Sequence, residues 1–322
     1  MRRIKGNFHT HTTFCDGKNT AREMAEQAAA SGFTHLGFSG HMDSEIHMDL
    51  AAYDREIRRL QEEYRPGGPG CGEKGPGRDW KKEVRVGKDR TETAQAACPG
   101  GLDILRGVEL DVLYEPRDGA ERELLRGMEY LIGSTHYIEA PSGGPLGSVD
   151  DTRERLETFC REEFGDDYYR LSRAYYETEA GIVNYIRDHF AGPFFIGHFD
   201  LITRFNDEMH VLDESSPRYY GPALEVMEYL VSKDIPFEIN CGAVNRGRKA
   251  ELYPNRFLLR HLREMGGRIL ISSDAHQREL LDGCFEDAVR TAAECGFTHT
   301  NILEHDRSGA IVWRQVPLDV FG

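Results

Sequence analysis

Histidines and carboxylates recur directly after short apolar runs of this sequence. The stretch NFHTHTTFCDGK at residues 7–18 contains an HxH pair followed by an aspartate, and similar polar positions follow five later apolar runs. Imidazole and carboxylate ligands together suit Zn, Fe or Mn and not a thiolate-based structural site. One ion needs fewer ligands than this set offers, so the pattern indicates two or three metal ions. The candidate ligands are His9, His11, Asp16, His41, Glu109, His136, His198, Asp274 and His276.

Each of these motifs is weak when it is taken alone. A GH pair after a strand is often a turn with a packed histidine, Glu109 could be a salt-bridge partner, and Asp274 could cap a helix. Only the recurrence of such residues at successive strand ends favours a metal centre. The remaining histidines of the 13 are interpreted as surface or hydrogen-bonded residues: His35, His47, His189, His210, His261, His299 and His305.

The elements that must position these residues alternate between short apolar runs and longer amphipathic ones, which is typical of repeated strand–helix units. One long helical region is expected from about 152 to 189. GFTHLGFS at 32–39 is echoed by GFTHTNIL at 296–303, and this echo indicates two equivalent helix-to-strand joints. Seven or eight such units favour a closed TIM-like barrel over an open parallel sheet. Catalytic groups of such barrels lie at the carboxyl ends of the strands, where the candidate ligands are found.

Composition limits the remaining possibilities for this chain of 322 residues. A formal net charge of -15 argues against a nucleic-acid partner, because such proteins use Lys and Arg to displace counterions. No apolar run is long enough for a membrane helix, and no signal peptide is apparent. Seven scattered cysteines without a CxxC pair favour a reducing, cytoplasmic location. We predict a single domain spanning residues 1–322, with an exposed Gly/Pro-rich insertion at 66–101.

Together, the motifs HTHTTFCDG, GFSGHMD, GVELD, GSTHY, GHFD and SSDAH resemble those of the PHP (polymerase and histidinol phosphatase) family, and within it the monofunctional histidinol-phosphatases. The resemblance implies a distorted (β/α)7 barrel with two to three divalent ions of Zn, Fe or Mn. It assigns one ion to His9, His11, Glu109 and Asp274, and a second to Glu109, His136 and His198. It assigns a third to Asp16, His41 and His276. Many relatives have histidine at the position of Asp16.

The activity implied by the resemblance is hydrolysis of L-histidinol phosphate by a metal-activated hydroxide, as a step of histidine biosynthesis. The expected catalytic residues are Glu109, His41, Asp274 and His276, and the proton donor to the leaving group is not assigned. Phosphate is expected to bind a guanidinium, first that of Arg204 and second that of Arg246, because its fork matches phosphate oxygens. The alternatives are a PHP phosphoesterase with another small phosphate ester or nucleotide, and an amidohydrolase-type C–N hydrolase.

Overall fold

The computed structural model describes residues 3–65 and 101–322. The predicted insertion at 66–101 therefore lies outside the described residues, except for Gly101. Within the described ranges the strands are β1 (Gly6–Asn7), β2 (His35–Phe38), β3 (His41–Met42), β4 (Asp103–Asp111), β5 (Tyr130–Ser134), β6 (Tyr137–Ile138), β7 (Gly147–Ser148), β8 (Phe194–Ile196), β9 (Phe237–Asn240), β10 (Ile269–Ser272), β11 (His299–His305) and β12 (Ile311–Pro317).

Helices connect most of these strands. They are α1 (Ala21–Ala30), α2 (Leu50–Tyr64), α3 (Gly119–Arg126), α4 (Arg153–Phe159), α5 (Tyr168–His189), α6 (Asn206–Met209), α7 (Pro217–Ser232), α8 (Gly242–Asn245), α9 (Arg256–Glu264) and α10 (Phe285–Glu294). In the part of the chain that the structure describes, none of them combines the length and the apolar character needed to cross a bilayer.

Seven parallel strands form the barrel wall in the order β1-β2-β4-β5-β8-β9-β10, and β3 pairs with the second half of β4. The wall closes just beyond β1 and β10 through a parallel bridge between Thr10 and Ala275. The amide of His11 donates to the carbonyl of Ala275 at 2.9 Å, and the amide of Ala275 donates to the carbonyl of His9 at 3.2 Å. The structure confirms the predicted (β/α)7 barrel.

Local sequence explains why the first helix begins directly after the HxH loop. The Thr20 hydroxyl accepts a hydrogen bond from the amide of Glu23, whose carboxylate in turn accepts one from the amide of Thr20. This capping box satisfies two amides that a helix start leaves unpaired. Met24, Ala25 and Ala28 recur at helical spacing and are buried, so the helix packs one face on the barrel. The loop at 9–19 is thereby held between a strand and a fixed helix start.

Two expectations from the sequence were wrong in detail. The strand β11, which follows the GFTH echo, is not a barrel unit, because it pairs antiparallel with β12 outside the seven-stranded wall. The single helical region expected near 152–189 is divided between α4 and α5. A π-helical turn at Cys160–Phe164 precedes Gly165, whose φ of 64° ends the first segment.

Tyr130 occupies the barrel interior and joins its first strands. Its hydroxyl donates to the carbonyl of Phe8 at 2.7 Å and also lies 2.9 Å from the carbonyl of Phe38. A Cβ on Gly107 would lie 2.2 Å from the Tyr130 ring, which is far inside van der Waals contact. Glycine at position 107 therefore makes room for the ring.

We expect Gly107→Ala to reduce the free energy of unfolding by roughly 1–3 kcal/mol, because an overpacked core must shift its backbone or side chains. Urea denaturation followed by circular dichroism measures this change. Gly119→Ala is the matched control, since a Cβ at that position would meet no heavy atom within 4 Å. Equal unfolding midpoints for the two variants would contradict the packing assigned to Tyr130.

Candidate metal centre

Glu109 lies near the carboxyl end of β4, is 1% exposed, and directs its two carboxylate oxygens at different groups of imidazoles. Its Oε1 atom lies 2.9 Å from Nε2 of His198 and 3.4 Å from Nε2 of His136. The Ser134 hydroxyl donates to the same oxygen at 2.8 Å. The structure thus brings together the three residues that the family resemblance assigned to a second ion.

The other oxygen of Glu109, Oε2, faces the HxH pair and the histidine of β3. It lies 3.1 Å from Nε2 of His9, 3.4 Å from Nε2 of His11 and 3.0 Å from Nδ1 of His41. The first two histidines are fully buried because the Thr10–Ala275 bridge closes the barrel at their position. One carboxylate therefore lies between two sets of potential ligands.

Asp16 gathers a third set on the open side of the centre. Its Oδ2 atom lies 3.0 Å from Nε2 of His276, and its Oδ1 atom lies 3.8 Å from Nε2 of His41 and 3.7 Å from Nδ1 of His11. The predicted third set of Asp16, His41 and His276 is assembled, with His11 as an additional member.

Asp274 adds a carboxylate to the first set from the β10 side of the Thr10–Ala275 closure. Its Oδ1 atom lies 3.3 Å from Nε2 of His11 and 3.8 Å from Nε2 of His9. The Arg246 guanidinium donates to Asp274 Oδ2 at 3.1 Å and to its main-chain oxygen at 3.1 Å. The same guanidinium lies 2.9 Å from Nδ1 of His276. Arg246 therefore braces two of the predicted ligands while it also lines the cavity above them.

The unpaired atoms of this cluster fit divalent cations. Nε2 of His9, Nε2 of His11, Nδ1 of His41 and Oε2 of Glu109 are buried, and within the described residues none of them makes a hydrogen bond. Buried polar atoms without a partner are costly, and here they converge on one another. Ligand atoms within 4.8 Å of each other form the sets His9–His11–Glu109, Glu109–His136–His198, His11–Asp16–His41–His276 and His41–Asp43–His136.

The charges in the cluster suit metal ligation. Burial opposes the ionisation of Glu109, yet the imidazoles of His9 and His41 hold its pKa well below its ordinary value. Burial lowers the pKa of His11 to about 3, assisted by the neighbouring His276 and His41. Burial likewise lowers the pKa of His41 to about 4. An ionised carboxylate and neutral imidazoles are the forms that bind metal ions. Although burial opposes it, Glu109 raises the pKa values of His9 and His136 well above the ordinary value, so an ion that binds these two residues would displace protons.

Three acidic residues near the centre were missed by the sequence analysis. Glu238 on β9 accepts a hydrogen bond from Nδ1 of His9 at 2.7 Å. Asp111, at the end of β4, accepts one from the amide of His136 at 2.7 Å. Asp43 lies with its Oδ2 atom 3.8 Å from Nδ1 of His41. In the sequence, these three residues are marked only as acids that lie within or directly after a buried apolar strand.

A cavity of ≈ 720 Å³ opens above the cluster. Seven of the nine predicted ligands line it, and the fully buried His9 and His11 lie beneath. The cavity wall also carries the guanidinium groups of Arg204, Arg246 and Arg248. Arg204 stacks over the ring of Phe205 at 5.2 Å, and no ion pair with a carboxylate is found for it among the described residues. The cavity therefore combines a cluster of potential metal ligands with groups that bind anions.

Known proteins resemble this chain over most of its length. A probable histidinol-phosphatase of Deinococcus radiodurans is 27% identical over 293 residues, covering 89% of this chain and 92% of the relative. A probable histidinol-phosphatase of Schizosaccharomyces pombe is 26% identical over 315 residues, covering 94% and 92%.

Solved structures share the fold. A putative histidinol phosphatase from Listeria monocytogenes superimposes with a TM-score of 0.64 at 17% identity, covering 88% of this chain and 99% of the other. Histidinol phosphate phosphatase from Lactococcus lactis, complexed with Zn, L-histidinol and phosphate, gives a TM-score of 0.54 at 17% identity, covering 97% and 99%. The family model described as PHP domain matches residues 7–242, and the chain belongs to this family.

Proposed function

We propose that this protein is a metal-dependent phosphomonoesterase that hydrolyses L-histidinol phosphate to L-histidinol and inorganic phosphate. The observation that carries the proposal is the position of Glu109 between two sets of imidazoles, at the floor of a cavity whose wall contains three arginines. The names of both curated relatives support the substrate, as does the histidinol and phosphate complex of the Lactococcus lactis protein.

Two to three divalent ions, of Zn, Fe or Mn, would occupy the centre. Glu109 would be shared between the set that contains His9, His11 and Asp274 and the set that contains His136 and His198. Asp16, His41 and His276 would hold a further ion. When bound, such ions supply Lewis-acid charge for the phosphoryl oxygens and lower the pKa of water towards ~7.

Arg204 is the first candidate for holding the phosphoryl group in the cavity. Its guanidinium lines the cavity and has no carboxylate partner among the described residues, so its donors are free for phosphate oxygens. Arg246 is the second candidate, but its two terminal nitrogens already contact Asp274 and His276. Its charge would still attract the phosphate while its hydrogen bonds keep the two ligands in place.

The alkoxide of a primary alcohol needs a proton when it leaves. Asp16, His41 and His276 line one side of the cavity, and Nε2 of His276 lies 3.0 Å from Asp16 Oδ2. We place the leaving oxygen on this side. Because these three residues would hold an ion, the proton would come from water in the cavity. Glu109 and Asp274 act from the floor, because both carboxylates remain ionised there.

The other end of the substrate is cationic, and acidic groups are available for it. Asp43 and Asp150 line the cavity without a Lys or Arg partner among the described residues. Two further acids of the wall, Glu45 and Asp151, are paired with Arg155 at 2.6 and 2.7 Å. An ammonium or imidazolium group would compensate the unpaired acids. Under this proposal the enzyme acts in histidine biosynthesis in the cytoplasm.

A panel of phosphate monoesters tests the substrate assignment. We expect phosphate release from L-histidinol phosphate to exceed that from nucleotides, phosphotyrosine and sugar phosphates in kcat/KM, with metal content measured on the same preparation. Equal rates across the panel would exclude the substrate and leave a general PHP phosphoesterase. Release of ammonia from amides or imides without any phosphate release would favour the C–N hydrolase alternative.

Glu109→Ala should lose activity and at least one equivalent of bound metal, because both imidazole sets share this carboxylate. Metal content by inductively coupled plasma mass spectrometry, together with phosphate release, measures both effects. His299→Ala is the control, since His299 is an exposed histidine on β11. Full turnover by Glu109→Ala would refute the shared position.

Arg204→Ala should raise KM for the phosphoester by about tenfold or more, because a hydrogen bond to a charged group contributes roughly 1.5–3 kcal/mol. Its metal content should match that of the wild type. Arg187→Ala is the control, because Arg187 stacks on Phe194 and does not line the cavity. An unchanged KM would transfer the phosphate role to Arg246.

A further inference from the structure

Glu238 is a fully buried acid in the middle of the apolar strand β9. No Lys or Arg forms an ion pair with it among residues 3–65 and 101–322. Its carboxylate accepts three hydrogen bonds, from Nδ1 of His9 at 2.7 Å, from the amide of His198 at 2.9 Å and from Nδ2 of Asn240 at 2.9 Å. A buried carboxylate is stable only when such donors replace water.

The first of these bonds fixes the tautomer of His9. An ionised carboxylate only accepts, so the proton of the neutral ring must be on Nδ1. Nε2 then carries the lone pair, and this is the atom that faces Glu109 at 3.1 Å and Asp274 at 3.8 Å. Carboxylates behind a ligating histidine commonly set ring orientation and tautomer in this way.

The second bond holds the main chain at His198. This residue has a φ of 20°, at the margin of a region that side-chain-bearing residues rarely adopt. The hydrogen bond from its amide to Glu238 helps to hold this conformation. In it, Nε2 of His198 lies 2.9 Å from Oε1 of Glu109. Glu238 thus reaches both oxygens of Glu109 through two different histidines.

The third partner, Asn240, keeps the Glu238 carboxylate as a hydrogen-bond acceptor. Asn240 donates to Glu238 through Nδ2, while its Oδ1 atom accepts from the amide of Gly242 at 2.7 Å. Turning the Asn240 amide over would therefore lose the bond to Gly242 and place an oxygen against the carboxylate. The amide of His198 and Nδ2 of Asn240 therefore fix Oε2 of Glu238 as an acceptor.

We propose that Glu238 is the positioning residue that couples the two sets of ligands sharing Glu109. It sets the His9 ring in the tautomer that exposes Nε2, and it holds the backbone that places His198 on the opposite oxygen. The inference rests on the metal-dependent function proposed above and adds a residue that does not line the cavity.

Glu238→Gln tests this coupling with almost no change of shape. The NH2 group of the glutamine could face His9, and the proton of the ring would then be forced onto Nε2. Alternatively, the NH2 group could face the amide of His198 and Nδ2 of Asn240, where it would meet two other hydrogen-bond donors. We expect metal affinity to fall by about 10- to 100-fold, as is usual when such a supporting partner is lost. Competition with a chelator, using Zn²⁺ and Mn²⁺ as probes, measures the affinity. Excess metal should restore kcat without a change in KM.

Glu121→Gln is the matched control, because Glu121 is also a buried glutamate with several donors. It accepts from the Tyr114 hydroxyl at 2.9 Å and from the Arg117 amide at 2.6 Å, and it contacts no histidine. This variant should lose thermal stability without any change in metal affinity. Wild-type metal affinity in Glu238→Gln would overturn the proposal, as would an equal loss of affinity in both variants.

Nitrogen-15 NMR of histidine-labelled wild-type protein measures the tautomer of the His9 ring directly. This second measurement does not depend on whether a variant folds. The His9 ring should be the Nδ1–H tautomer in the metal-loaded protein. An Nε2–H tautomer would overturn the proposal. The chelator competition and the NMR measurement use no substrate, so failure of the substrate panel would not alter their outcomes, and failure of these two measurements would not alter the panel.

Discussion

The negative charge of Glu109 is buried at the point where several barrel strands converge, and this charge constrains the whole centre. Removing a carboxylate from water costs several kcal/mol unless polar or charged groups replace the lost solvent. The HxH loop, β3 and the segments that follow β5 and β8 each deliver an imidazole to one of its two oxygens. A closed barrel meets this requirement, because the carboxyl ends of its parallel strands all face the same point.

The positions of the candidate ligands were predictable because each lies at or just after the end of an apolar run. Strand ends are visible in one sequence, and the parallel barrel brings them together without further information. The acids behind the histidines were not predictable in the same way. Glu238 appears in the sequence as a single charge inside a strand, and only the pairing of β8 with β9 and β9 with β10 shows which histidines it faces.

A closed barrel of seven or eight units was predicted from the alternation of strands and helices, and the family resemblance implied seven. Repetition of a motif did not identify barrel units. The repeated motif at 296–303 leads into β11. This strand pairs with β12 along its whole length, so β11 packs on the barrel without joining its wall. Likewise, one helical region was expected across 152–189, although the backbone turns near Gly165. Periodicity reports which face is buried, and it does not report whether the backbone is continuous.

The closure of the barrel at Thr10 and Ala275 has a consequence for biosynthesis of the chain. The contact between Asn7 and Ser273, which lies beside this closure, joins residues 266 positions apart. On the ribosome, the amino-terminal histidines therefore emerge long before the aspartate and histidine that complete their set. A segment made early offers imidazoles but no enclosed site, so under the proposed function high-affinity binding of an ion would have to wait for the end of translation or later.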